Sequence, residues 1–162
     1  MSANVLEINL GKTRITINTE GAGPVINLAA SEDIKLESNQ RFELVLNGDA
    51  VMDHNTGLMW ARSESETLEW DDASKYCGEF SAGGHSDWRM PTREELLTIV
   101  DLDRHEPCMD PIFKTHSNYV WTSTQTAWSK GKSGSSRSFW SVYMDSGLVD
   151  NYLADDLLRA RP

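Results

Sequence analysis

A chain of 162 residues with a formal net charge of −10 can build one full core and a small appendage, but not two large domains. Its acidity repels a phosphate backbone, which excludes nucleic acid as a general partner. No apolar run reaches membrane-spanning length, and Met1–Gly11 alternate apolar with polar residues instead of forming a basic-then-apolar leader, so neither membrane insertion nor a signal peptide is expected.

Residues 1–41 contain no Trp, Tyr or Cys. Within them Val5–Leu10, Arg14–Asn18, Val25–Leu28 and Asp33–Glu37 alternate with period two, which predicts four short strands. Gly11-Lys12, Gly21–Pro24 and Ser31-Glu32 between them are turn material. Strands at such regular spacing read as a repeat, and a repeat this short cannot bury its apolar face alone. Two readings stay open. Residues 1–41 are a β-rich stalk or oligomerisation segment, resembling phage-tail and injection-system spikes in which three chains wind around an apolar axis. Alternatively they are ordinary hairpins packed on the main domain.

The main domain is expected over 42–162. Phe42–Leu46 and Ala50–Asp53 flank the turn Asn47-Gly48-Asp49 and predict a hairpin, and Leu58–Arg62 follows as a strand with Trp60 inward. Thr67 is placed to cap a first helix in which Trp70, Ala73, Cys77 and Phe80 fall at helical spacing, and Gly83-Gly84 ends it. In Asp87–Asp101 the local signals all agree. Pro91 keeps Met90 extended, Thr92 with Glu95 makes a capping box, and a second helix starts at Arg93 with Leu96, Leu97, Ile99 and Val100 on its buried face. Strands are predicted over Tyr119–Thr124, Ser138–Met144, Leu148–Tyr152 and Leu157–Arg161, with a Gly/Ser/Lys loop after Trp128 whose composition predicts mobility. Six tryptophans suit a loop-rich fold that fills irregular core space with indoles. Cys77 and Cys108 are too few for a metal cluster or a disulfide framework; two buried thiols are expected, with a single disulfide as the other reading.

In this order the blocks resemble the Lcl C-terminal domain family, the lectin-like heads at the ends of collagen-like adhesins and of many bacterial and phage proteins. Asp53-His54-Asn55-Thr56-Gly57-Leu58-Met59-Trp60 is similar to the family's opening block, and Trp70-Asp71-Asp72-Ala73 through Tyr76-Cys77 to its first helix. Asp87-Trp88-Arg89-Met90-Pro91-Thr92-Arg93-Glu94-Glu95-Leu96 is similar to its central block. Trp121–Thr124, the Phe139–Met144 strand with Asp145 and Gly147, and the closing Arg159 and Arg161 complete the pattern. The resemblance implies an α+β class: a C-type-lectin-like head, two helices flanking small antiparallel sheets, here with a short β-rich N-terminal stalk. Many relatives carry a cysteine where this chain has Ala160, so the implied tie from first helix to last strand is absent and Cys77 is left free. The Glu-Pro-Asn loop and Trp-Asn-Asp strand of calcium-dependent lectins are missing as well, with Trp121-Thr122-Ser123 where the latter is expected, so neither calcium nor any other metal or cofactor is implied. The family's adhesins grip acidic polysaccharide, for which a chain at −10 is a poor trap.

No catalytic residue is expected. The formylglycine-generating enzymes that share the lectin-like fold need cysteines near the end of the domain, and neither Cys77 nor Cys108 is so placed. His54, His85, His105 and His116 sit in loops without metal-pair spacing. Arg89 is expected to bridge to Asp53 or Asp87 and lock a loop. Binding is expected late in the chain, at Trp128, Lys130, Lys132, Arg137, Trp140, Tyr143, Asn151 and Tyr152, where aromatics among small polar residues have the composition of a paratope; alternation puts one of Trp140 and Tyr143 in the core. The expected function is a non-enzymatic recognition head, homotrimeric, at the tip of a phage virion, injection system or adhesin, binding a cell-surface glycan or protein receptor. The alternative is an intracellular interaction or inhibitor protein acting as an acidic monomer.

Overall fold

The computed structural model describes residues 40–116 and 118–162, together with the backbone of three strands among the first 39 residues. The chain divides into two compact units, Met1–Asn39 and Gln40–Pro162. In the first, β1 (Val5–Leu10), β2 (Thr13–Asn18) and β3 (Val25–Ala29) form an antiparallel meander, with Ile8 opposite Ile15 and Ile15 opposite Leu28. The strands pair in sequence order, β1-β2-β3. The strand expected over Asp33–Glu37 lies outside the described residues.

The second unit is α+β, with two small antiparallel sheets and two short helices. Its first sheet is β4 (Phe42–Val45), β5 (Ala50–Asp53) and β6 (Leu58–Ala61); its second is β7 (Tyr119–Gln125), β8 (Ser138–Tyr143) and β9 (Val149–Leu153). Helices α1 (Trp70–Glu79) and α2 (Arg93–Thr98) lie between them in sequence. No helix of the described residues is long and apolar enough to cross a membrane. Helix α2 starts where the capping box requires. The Thr92 side chain accepts from the Glu95 N–H at 3.2 Å, and the Glu95 carboxylate accepts from the Thr92 N–H at 2.8 Å.

Helix α1 begins two residues later than a Thr67 cap implies, with Glu69 as its N-cap. The Leu68 N–H and C=O are both taken by Leu158, at 2.8 and 3.1 Å, so this backbone cannot turn helical before Trp70. Ala73 and Cys77 are buried on its inner face, while Trp70 and Phe80 are half-buried. The helix ends at Phe80, whose extended backbone leads to a turn at Ala82–His85. Gly83 has φ +57 there, and a Cβ on it would stand 2.3 Å from a methyl of Leu46.

The second sheet is covered on both faces, which is why β8 reads as a nearly continuous run instead of an alternating one. Val120 and Val142 are a register pair and pack with Leu96, Ile99, Val51 and Trp60, so α2 ties one face to the first sheet. Trp121 and Phe139 point the other way and pack with Ala73, Cys77, Leu158 and Ala160. Cys77 and Cys108 are free and buried, and burial pushes the Cys77 thiol up to about 12, which makes it inert.

The expected terminal strand over Leu157–Arg161 does not form a ladder. The segment is a seam that bonds alternately to two neighbours: Leu158, Ala160 and Pro162 meet Leu68, Ser65 and Ala61, whereas Arg159 meets Tyr119 and Trp121. Arg161 is its anchor. Its guanidinium is fully buried and donates to the carbonyls of Ala61, Arg62 and Lys114 and, at 2.9 Å, to the equally buried Glu64 carboxylate. Glu64 also accepts from the Thr115 hydroxyl and the His116 N–H. Burial pulls the Arg161 pKa down and the Glu64 charge opposes that pull.

Candidate recognition face

Strand pairing decides which of the late side chains can act together, because residues directly opposite each other in an antiparallel sheet share a face. Trp140 is opposite Asn151, and the Ser138 hydroxyl lies 3.1 Å from Asn151 Oδ1. Trp128 stands on a 3-10 turn, Ala127–Ser129, with its ring edge-on to Trp140 at 5.7 Å and 77°. It is 56 % exposed, the one exposed tryptophan among the described residues. From α2 the Arg93 guanidinium lies 5.2 Å from the centre of the Trp140 ring, and the Arg93 N–H donates to Thr124 on β7 at 2.9 Å.

The turn under Trp128 is tightly bonded. The buried Ser129 hydroxyl lies 3.0 Å from both the N–H and the C=O of Ser138, and the Thr126 hydroxyl donates to Ser129 at 2.9 Å. Thr126 N–H bonds to the Ser138 carbonyl, and the Gln125 amide to the Ser129 carbonyl. Both ends of the Gly/Ser loop, Ser129 and Ser138, are therefore pinned, and Trp128 is presented on a fixed base. Lys130 and Lys132 are exposed on the loop between them.

The rest of the expected site lies elsewhere. Tyr152 is opposite Phe139 and Tyr143 is opposite Tyr119, both on the α1 side of the sheet. There Tyr119 stacks on Tyr143 at 4.7 Å and meets Tyr152 at 4.9 Å. Burial, reinforced by a hydrogen bond to Tyr119, pushes the Tyr152 hydroxyl up to about 12. Arg137 is on that side as well, 5.4 Å from the Trp70 ring and 2.5 Å from the Asp71 carboxylate. The eight expected residues thus divide: Trp128, Trp140 and Asn151 converge, with Arg93 as a member that sequence reasoning missed; Lys130 and Lys132 stay exposed on the loop; Tyr152 and Arg137 belong to the packing around α1, with Tyr143 stacked on Tyr119 beside them. Trp140 and Tyr143 are each half-buried, one on either face.

Arg89 does not bridge to Asp53 or Asp87. Asp53, fully buried, is held by the Arg41 fork at 2.8 and 3.0 Å, by the Asn55 N–H and by Thr56. Desolvation raises the Asp53 pKa, but these donors outweigh it and hold the group below the usual carboxylate value. Arg89 instead makes two bonds to Glu95, at 2.5 and 2.8 Å, and so braces the cap of α2. The Arg89 fork, together with the Thr92 N–H, holds the Glu95 carboxyl near a pKa of about 2 against the opposing effect of burial. A depressed pKa means stability present above the unfolded value of 4.5 and lost as the pH falls toward 2. Glu95→Gln is expected to be less stable at pH 7 and to lose less stability than the parent between pH 5 and 2, read as urea midpoints against pH.

No curated protein and no solved structure matches the chain. The family model of the Lcl C-terminal domain matches residues 49–162, which takes in both helices, the second sheet and the whole Trp128–Trp140–Arg93 face. With more than half of its length so matched, the chain belongs to the Lcl C-terminal domain family.

Proposed function

We propose that the chain is a non-enzymatic recognition module of C-type-lectin-like architecture, and that its ligand docks on the face formed by Trp128, Trp140, Asn151 and Arg93. The observation that carries this reading is Trp128, a large ring more than half exposed yet held on a fully bonded turn. Nothing in the interior accounts for exposing it there. Rigid aromatics contribute contact area at little entropic cost, and tryptophan is enriched among the residues that dominate binding energy. Membership of a lectin-like, adhesin-associated family supports the same reading. The ligand is a cell-surface glycan or protein receptor, and the setting is a homotrimeric phage-tail, spike or adhesin assembly in which the β-rich first unit serves as the stalk.

The test screens the full chain against glycan and surface-protein arrays and repeats it with Trp128→Ala. The variant is expected to keep its stability within about 0.5 kcal/mol and to lose about 2 kcal/mol of binding, near thirtyfold in affinity. Equal binding by both proteins to every array member would sink the assignment of this face. In light scattering the same preparation is expected to behave as a trimer, and a clean monomer would remove the stalk from the proposal.

A further inference from the structure

The two edges of the second sheet are closed in different ways. On β7 the outward N–H groups meet main chain: Trp121 donates to the Arg159 carbonyl and Ser123 to the Pro91 carbonyl, each at 2.8 Å. On β9 no strand pairs with the outer side among the described residues. Its ladder with β8 is bounded by the bonds from Tyr143 N–H to the Leu148 carbonyl and from Ala154 N–H to the Arg137 carbonyl. Leu148, Asp150, Tyr152 and Ala154 therefore turn their backbone groups inward, and Val149, Asn151 and Leu153 turn theirs out. A row of outward groups is a template for a further strand. Apolar side chains stand beside this one, since Leu148, Leu153 and Leu157 are all about half exposed or more.

Two of the three outward donors are already taken. The Asp150 carboxylate accepts from the Asn151 N–H and the Asp156 carboxylate from the Leu153 N–H, each at 2.8 Å, and the Leu153 carbonyl accepts from the Asp156 N–H at 3.0 Å. The other open edge, β4 of the first sheet, is only four residues long and offers a shorter row. The strand best matched to β9 is β9 of a second copy. Antiparallel pairing about a two-fold axis sets Asn151 against Asn151 and Val149 against Leu153, which covers the exposed Leu153 of both copies. We infer that Asp150 and Asp156 close this edge to a second copy of the chain. An incoming carbonyl has to displace a charge-assisted bond from each donor, and the pairing brings four carboxylates of like sign onto one seam. Because Asn151 also belongs to the face around Trp128, an edge pair would crowd that face, and the two aspartates keep it open.

The test compares the full chain with two double variants, Asp150→Ala/Asp156→Ala and Asp150→Asn/Asp156→Asn, by sedimentation velocity over a range of concentrations. The alanine pair is expected to raise the weight-average mass at least about twofold over that of the parent as concentration rises. Adding Leu153→Pro to the alanine pair deletes an outward N–H at an edge position and is expected to restore the mass of the parent. The asparagine pair keeps an acceptor oxygen on each side chain and is expected to sediment as the parent does. An alanine pair with the mass of the parent overturns the proposal. So does an asparagine pair that associates as strongly as the alanine pair, since the barrier would then be charge alone, and so does association that Leu153→Pro leaves intact, since the contact would then lie elsewhere. Should the alanine pair fail to fold, amide hydrogen exchange of the parent decides: the Asn151 and Leu153 amides are expected to exchange at least about tenfold more slowly than an unstructured chain. Unslowed exchange at both would show the edge donors open and overturn the inference.

Discussion

Arg161→Met is expected to lower the free energy of unfolding by about 3–5 kcal/mol, read as a shifted urea midpoint at unchanged slope. The loss comes less from the attraction between Arg161 and Glu64 than from what the substitution leaves behind. Glu64 stays fully buried with only Thr115 and His116 as donors, and the carbonyls of Ala61, Arg62 and Lys114 each lose an N–H. Small domains are stable by roughly 5–15 kcal/mol, so one side chain decides whether this unit persists at 37 °C. Adding Glu64→Met to Arg161→Met is expected to restore part of the loss, because a buried pair replaced on both sides no longer strands a charge. A single variant as stable as the parent would show that the pair is solvated in solution.

Trp121→Ala is expected to cost a similar amount, about 3–5 kcal/mol for removing a large buried ring. Trp121 is fully buried, packs edge-on against Tyr152 at 6.5 Å, and ties β7 to the entry of α1 through its bond to Leu68. Trp121→Phe keeps part of the volume but abandons the Leu68 carbonyl, and an intermediate loss is expected from it. Near-ultraviolet circular dichroism and urea melts read both variants. A cost under about 1 kcal/mol for the alanine variant would contradict the packing described here. Set beside the near-neutral Trp128→Ala, this pair separates tryptophans that hold the fold from the one displayed on it.

Features written in local chemistry were legible in the sequence. The Thr92–Glu95 box gives the start of α2, and the Asn47-Gly48 turn gives the first hairpin, since in each case the partners lie within a few residues. Arg161 was not legible in this way: its acceptors lie 47 to 100 positions away. The start of α1 was misplaced for the same reason, because Leu158 captures the backbone of Leu68 from 90 residues downstream. Arg89 was assigned to acids on grounds of charge, whereas Glu95 was available across the cap and already aimed there by the box. The division of the late residues was present as parity. Trp140 and Tyr143 are three apart on one strand and Asn151 and Tyr152 are adjacent on the next, so neither pair can share a face. Arg93 left no comparable signal, since its approach to Trp140 depends on how α2 sits over β8.

The seam formed by residues 158–162 also constrains the order in which the unit can assemble. Its bonds close loops of about a hundred residues, from Ala61 to Pro162 and from Leu68 to Leu158, and the core beneath α1, which includes Leu158 and Ala160, waits on them. Contacts of such long range slow folding, because the chain loses loop entropy before any contact compensates for it. On the ribosome the first sheet and both helices emerge well before their closing segment, with Cys77 and Trp121 lacking Leu158 and Ala160 for that interval. A nascent chain halted short of Leu158 is therefore expected to be cut readily by protease, and one carried past Pro162 to resist it.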